Sequence, residues 1–205
     1  MNTVSPFHID ADGWCPQALH QPSPNFDVRP DDMPVELLVI HNISLPPREF
    51  GGPYIADLFC NRLDCDLHPY FDQLRQLRVS AHFLIRRDGE VVQFVSANDR
   101  AWHAGLSSFQ GRARCNDFSI GIELEGSDFD PFEDAQYPAL AGLTRALCRR
   151  YPIRHVSGHE HIAPGRKTDP GPFFDWAAYR SRLALPAGSE ADFAIPSFHI
   201  CNTGE

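Results

Sequence analysis

The sequence predicts a single domain of the α/β (α+β) class, and three stretches carry that prediction. Residues 35–40, Val-Glu-Leu-Leu-Val-Ile, form a short run rich in apolar and β-branched residues that reads as a buried strand. Residues 118–126 alternate: Phe118, Ile120, Ile122 and Leu124 face one way, and Ser119, Gly121, Glu123 and Glu125 the other. Residues 134–151 set Leu140, Leu143, Leu147 and Tyr151 at helical spacing, with Pro138 tolerated in the first turn and Pro152 marking the end. At 205 residues the chain is long enough to bury a full core around these elements.

The remaining elements follow in chain order. Residues 1–34 are rich in Pro, Asp and His without sustained periodicity, and read as an irregular N-terminal arm that wraps the domain. The domain proper is expected over 35–185. Residues 44–53, with Pro46-Pro47 and Gly51-Gly52, form a loop over the end of the first strand. Short helical elements are expected at 54–61 and 68–77. Residues 82–86 and 90–95 flank Arg87-Asp88-Gly89 as a hairpin. Residues 100–105 are aromatic and small, so Trp102 and His103 belong either to the core or to a cleft. A last short strand at 153–157 and a helix at 173–183 precede a tail at 186–205.

Composition narrows the function classes. The net charge of −9 argues against nucleic acid or an anionic membrane as the main partner, although pairs such as Arg112 and Arg114 leave local anion binding open. Residues 1–12 lack the Lys/Arg and apolar run of a secretory signal, and no apolar stretch reaches membrane-spanning length. Six cysteines contain no Cys-x-x-Cys pair and read as reduced thiols in the cytoplasm.

The chemistry concentrates in residues 158–172, Gly-His-Glu-His-Ile-Ala-Pro-Gly-Arg-Lys-Thr-Asp-Pro-Gly-Pro. Their Gly and Pro content predicts a long stiffened loop rather than a helix. Lys167 is the chain's sole lysine, which singles it out for a specific task. His41 ends a buried strand, where open α/β sheets place their ligands, although a satisfied core histidine is the plain alternative. With His159 and Asp169 it completes the set of a catalytic zinc site, one Zn²⁺ per chain, with a fourth position for water. Glu123, anomalous in so apolar a strand, is the general-base candidate, and Lys167 the oxyanion stabiliser. His161 crowds the same loop as a competing ligand. Cys115 is an alternative nucleophile whose plain reading is an incidental buried thiol.

Further motifs stand in order around these residues: His41 to Pro47, Phe50-Gly51-Gly52, His68-Pro69-Tyr70-Phe71, Leu77 to His82, Arg86 to Gly89, Arg100 to Gly105, Cys115 to Gly126 and Phe174-Asp175-Trp176. Together they resemble the AmpD-type 1,6-anhydro-N-acetylmuramyl-L-alanine amidases. These belong to the zinc amidase family that includes phage N-acetylmuramoyl-L-alanine amidases and peptidoglycan recognition proteins. The resemblance implies a mixed central sheet flanked by helices, an amidase/peptidoglycan-recognition-like fold. It implies His41, His159 and Asp169 as zinc ligands, Glu123 and Lys167 as catalytic residues, and Asn42, Arg78, Trp102 and Arg114 along the substrate site. It also implies an anhydromuropeptide substrate cleaved at the lactyl amide, in cytoplasmic peptidoglycan recycling that influences β-lactamase induction. The expected partner is that substrate alone, with no nucleic acid and no membrane, and the chain is expected to be a monomer. A non-catalytic recognition module on the same fold is the second reading.

Overall fold

The computed structural model describes residues 7–184 and 194–200. In chain order the elements are β1 (Leu19–His20), β2 (Phe26–Asp27), β3 (Leu37–Ile43), α1 (Tyr54–Phe59), β4 (Phe83–Ile85), β5 (Val91–Gln93), β6 (Arg100–Ala101), β7 (Ser108–Phe109), β8 (Arg112–Ala113), β9 (Ser119–Glu125), α2 (Gln136–Arg150), β10 (His155–Gly158), α3 (His159–Ile162), α4 (Trp176–Ala184) and β11 (Ser197–His199). Single 3₁₀ turns occupy Pro69–Leu74 and Cys115–Asp117.

Seven strands form one sheet in the order β1-β5-β4-β9-β3-β10-β11, parallel throughout except for the antiparallel β4–β5 pair. That pair is the predicted hairpin, closed by a turn in which Gly89 takes a φ of 89°, a conformation open to glycine. The expected mixed sheet flanked by helices is what forms.

The period-2 pattern of the central strands separates the two faces. Leu38 and Ile40 of β3, with Ile120, Ile122 and Leu124 of β9, pack on one face against Leu140, Leu143 and Leu147 of α2 and Tyr179 of α4. The helix starts at Gln136 and stops at Tyr151, before Pro152. The opposite face carries His41, Glu123 and Glu125. Two apolar clusters flank it: one under α1 and Phe71, the other around Phe109, Cys115 and Ile162.

Three segments differ from expectation. The arm is not wholly irregular: β1 extends the main sheet beside β5, and β2 pairs antiparallel with β6. The 158–172 stretch opens with the one-turn helix α3, because residues 159–162 contain no proline and the turn ends at Ala163 ahead of Pro164. Within the segment taken as a tail, Ser197–His199 adds an edge strand on β10, and Phe198 packs against Tyr179 with ring centroids 5.2 Å apart. Three residues are too short to show a period. The five described cysteines are unpaired; Cys201 lies outside the described residues. No helix among the described residues is long and apolar enough to cross a membrane.

Glu125 is fully buried yet well served. Its carboxylate accepts from the Gly51 N–H at 2.6 Å, the Arg86 guanidinium at 3.4 Å and the Arg87 N–H at 3.4 Å, tying the 44–53 loop and the hairpin to β9. Removing one partner of a buried charge pair leaves the other uncompensated. Glu125→Ala is therefore expected to destabilise the protein by about 3 kcal/mol, read from the shift of its urea unfolding midpoint.

Candidate active site

The adjacent parallel strands β10, β3 and β9 end on one side of the sheet, and each delivers one functional side chain there. In register, Gly158 lies beside Ile40, and His41 lies beside Glu123. His159 follows Gly158 directly, so residues 41, 123 and 159 line up across three strands. Asp169 arrives from the loop beyond α3, whose Glu160 N–H donates to the Asp169 carbonyl at 2.8 Å.

The convergence is tight. His41 Nδ1 lies 3.0 Å from His159 Nδ1 and 2.9 Å from Asp169 Oδ2, and the last two atoms are 3.0 Å apart. The surrounding hydrogen bonds decide what these atoms offer. Ser119 Oγ donates to the Cys115 carbonyl at 2.6 Å, so it accepts from His103 Nε2 at 3.2 Å. His103 Nδ1 is then an acceptor, and His41 Nε2–H donates to it at 3.0 Å. His159 Nε2–H donates to the Ala104 carbonyl at 3.1 Å. Both Nδ1 atoms are left as bare lone pairs facing a carboxylate oxygen. Burial and the neighbouring His159 push the pKa of His41 down to about 4, which keeps its imidazole neutral.

Three lone-pair donors within 3.0 Å of one another repel unless a cation sits among them. Two imidazoles and a carboxylate, each imidazole oriented by a second partner, suit a tetrahedral divalent zinc ion with one open position. The tetrahedron edge for bonds of 2.0–2.1 Å is roughly 3.3 Å, close to the spacing found here. The residues fit the metal. His161, the competing histidine, turns away: its Nδ1 accepts from the Gly158 N–H at 3.2 Å and its ring stands beside Trp176.

Gly121 answers a question that the alternation of β9 raises. A Cβ there would lie 2.4 Å from the His103 ring, so the glycine is the space in which that imidazole sits. His103 thus lines the cleft, as one of the two readings had it, and also links His41 to Ser119. The sequence signal for it was the pairing of a strand glycine with a histidine in a small-residue loop.

Glu123 contrasts with Glu125 two residues on. It is 8 % exposed, and its Oε2 is buried without a hydrogen-bond partner. Burial first, and the Asp169 charge second, hold its carboxyl well above the usual range; Lys167 opposes them. A cation at the triad would act in the same sense as Lys167.

A cleft of about 520 Å³ opens over these groups. His41, Glu123, His159, Lys167 and Asp169 line it, as do Asn42, Arg78 and Trp102. Lys167 is exposed. Asn42 Nδ2 is committed to Asp128 Oδ1 at 2.7 Å and the Pro170 carbonyl at 3.0 Å, which leaves its Oδ1 for a ligand. Arg114 does not line the cleft; its Nε pairs with Asp117 Oδ2 at 3.1 Å. Arg166, which the motif reading passed over, does line it and donates to the Ala104 carbonyl at 2.9 Å. Cys115 is fully buried away from the cleft and its thiol pKa is raised by burial, which removes the ground for a thiol nucleophile.

Comparison with known proteins agrees with this geometry. The family model described as N-acetylmuramoyl-L-alanine amidase matches residues 31–172. A 1,6-anhydro-N-acetylmuramyl-L-alanine amidase AmpD of Citrobacter freundii is 60% identical over 178 residues, covering 86% of this chain and 95% of the relative. A crystal structure of AmpD aligns with a TM-score of 0.82 at 59% identity, covering 85% of this chain and 98% of that one. The Escherichia coli amidase AmiD, solved with anhydro-N-acetylmuramic acid-L-Ala-D-γ-Glu-L-Lys, aligns at a TM-score of 0.54 and 32% identity, covering 74% of this chain and 59% of that one.

The His103 pocket carries its own test. Gly121→Ala should displace the imidazole, and loss of such an outer partner typically weakens metal binding about 10–100-fold. Competition with a chromophoric chelator reads that loss directly, against a wild-type control refolded in parallel.

Proposed function

The chain belongs to the N-acetylmuramoyl-L-alanine amidase family, among its AmpD-type members, and is an amidase of that class. On that premise we propose that it is a zinc-dependent hydrolase of the lactyl amide joining 1,6-anhydro-N-acetylmuramic acid to L-alanine in muropeptides. On this reading it works as a monomer in cytoplasmic peptidoglycan recycling, and so influences β-lactamase induction. The observation that carries the reading is the row of His41, His159 and Asp169 lone pairs beside a buried, unpartnered Glu123 carboxylate oxygen in one cleft.

His41, His159 and Asp169 would hold the zinc ion, which when bound would supply Lewis acidity for the scissile carbonyl and for the attacking water. Glu123 takes a proton from the attacking water as the water oxygen bonds to the lactyl carbonyl carbon. The same carboxyl then hands that proton to the departing nitrogen as the C–N bond breaks. The products are the muramic acid carboxylate and the free amine of the L-alanine-led peptide. Lys167, at the cleft, donates to the oxygen on which charge develops. Raising the Glu123 pKa by burial suits this double role, because a proton taken up must also be released within one turnover.

The substrate carries a sugar face and peptide carboxylates. Trp102 offers an aromatic surface for the first and Arg78 a guanidinium for the second. We assign Asn42 a polar contact through its free Oδ1. We assign Arg114 a contact with the peptide's far end, outside the cleft lining.

The decisive assay is release of the L-alanine-led peptide from an anhydromuropeptide, followed by mass spectrometry, before chelation, after it, and after zinc is restored. Activity lost and regained with zinc supports the reading; cleavage indifferent to chelation, in protein shown to be metal-free, overturns the zinc assignment. Saturable binding without cleavage would instead make the chain a recognition module. His159→Ala should lose zinc and activity together. Glu123→Ala should retain zinc and lose about 10²–10⁴ in kcat. Lys167→Gln should cost about 10²–10³, in kcat more than KM.

A further inference from the structure

Residues 21–30, Gln-Pro-Ser-Pro-Asn-Phe-Asp-Val-Arg-Pro, reverse the usual arrangement of a strand on a core. The polar odd-numbered residues turn inward, with Ser23 and Asn25 buried and Asp27 and Arg29 half-buried. The even-numbered residues, Pro and apolar, are exposed, Val28 at 80 %. An inward polar face is costly unless each group is paired. Here Ser23, Asn25, Asp27 and Arg29 each take partners, most of them in the loops that line the cleft, and only Arg29 Nε is left buried without one.

Ser23 Oγ–H donates to the Phe59 carbonyl. Asn25 Nδ2 donates to the Val79 carbonyl at 2.8 Å, and Ser80 Oγ–H donates back to the Asn25 carbonyl at 2.6 Å. Asp27 Oδ2 accepts from Trp102 Nε1–H at 2.7 Å and from the Arg100 guanidinium at 2.6 Å. Arg29 donates to the Asn116 carbonyl at 3.1 Å and the Ser119 carbonyl at 2.9 Å. Phe59, Val79, Ser80, Trp102 and Asn116 all line the cleft. One extended segment thus stitches together loops that the chain separates by up to 57 residues in numbering, from 59 to 116.

We propose that this segment is a strap that sets the shape of the substrate cleft, and that Asp27 is a specificity-determining positioning residue which fixes the Trp102 indole for packing on the anhydro-sugar. The proposal rests on the substrate reading above. An indole ring bonded at its one polar atom to a carboxylate has its plane fixed before the ligand arrives, so less ordering remains to be done on binding. Asp27 is also the first member of an alternating chain of charges. Arg100 bridges Asp27 and Asp117 Oδ1 at 3.1 Å, and Asp117 holds Arg114. Through it the strap couples the indole to the one expected substrate residue that stands outside the cleft.

The test is steady-state kinetics of zinc-loaded full-length enzyme on anhydro-N-acetylmuramyl tripeptide, with zinc content and Tm recorded for every variant. Asp27→Ala should raise KM about tenfold, one decade being ~1.4 kcal/mol, with kcat within about twofold. Trp102→Phe keeps a ring but removes the donor. Its KM effect and that of Asp27→Ala should be non-additive in the double variant, since both break one contact. Additive effects, or an unchanged KM in folded, zinc-loaded Asp27→Ala, overturn the proposal. Should Asp27→Ala fail to fold, Asp27→Leu, which keeps the volume but offers no acceptor, replaces it in the same cycle, with the same outcomes decisive. A spectroscopic readout separates this from the substrate reading. If wild-type enzyme neither binds nor cleaves the tripeptide, the substrate reading fails. The strap is then judged by the Trp102 part of the near-UV circular dichroism, taken as wild-type minus Trp102→Phe: Asp27→Leu, which removes the acceptor, must change it, and no change overturns the strap.

Discussion

The parallel register of three neighbouring strands governs the rest of the molecule. β10, β3 and β9 run the same way, so their carboxyl ends share one edge of the sheet. Strands in a sheet stand about 4.8 Å apart, so functional groups at matching register positions come within reach of a common ligand. Backbone pairing sets His41 beside Glu123 and Gly158 beside Ile40, so that His159, the first residue of α3, follows at the same edge. Parallel neighbours cannot be joined by tight turns; each needs a crossover. Those crossovers carry the remaining parts. The β3-to-β9 crossover holds α1, the hairpin and the Trp102 loop, and the β9-to-β10 crossover holds α2.

The second constraint is electrostatic. The polar face of the sheet buries His41, His82, His103, Glu123, Glu125 and His159, each of which must lose its water. Most find a directed partner. His82 Nδ1 accepts from the Gly121 N–H at 3.0 Å, and burial drives its pKa down to about 3, so it is a neutral structural imidazole. Glu125 is saturated by three donors. Among these buried imidazoles and carboxylates, what stays unsatisfied is confined to one place: the bare Nδ1 pair, the Asp169 oxygen and Glu123 Oε2. A cluster of unmet acceptors marks where the protein expects something it does not itself contain.

Much of this was legible in the sequence, and the reasons differ by element. The alternation of 118–126 gave β9 with the correct faces for Ile120, Ile122 and Leu124, because a strand buried on both sides still separates its apolar from its polar residues; Phe118 stands before the strand and packs on the other face, beside Cys115 and Leu37. The leucine spacing placed α2 to within two residues at each end. His41, His159, Asp169, Glu123 and Lys167 were singled out because chemistry demands particular residue types, the resemblance ordered them, and the fold brings all five to one cleft. Short elements escaped. β11 has three residues and α3 four, fewer than a period can reveal. Arg114 was expected along the substrate site from the resemblance, with which its charge agreed, but neither carries information on which way a side chain turns. At 114 the backbone is left-handed, with φ at 62°, and the guanidinium folds back on Asp117.

The N-terminal arm shows why one pattern went unread. Periodicity is normally scored by asking where the apolar residues are, on the premise that they point inward. In Gln-Pro-Ser-Pro-Asn-Phe-Asp-Val-Arg-Pro the period of 2 is present, but its sign is inverted. The premise fails because this segment does not lie on a core. It lies on the carbonyl-rich backs of loops, and such a surface selects for donors and acceptors rather than for apolar area. The outward prolines fit the same logic. They lack an N–H, so on the exposed side they leave nothing unpaired, and they hold φ near the extended value that keeps every second side chain turned in. One face of the sheet is therefore stabilised by hydrophobic burial beneath α2 and α4, and the other by two flanking apolar clusters together with a polar strap that holds the connections around a site.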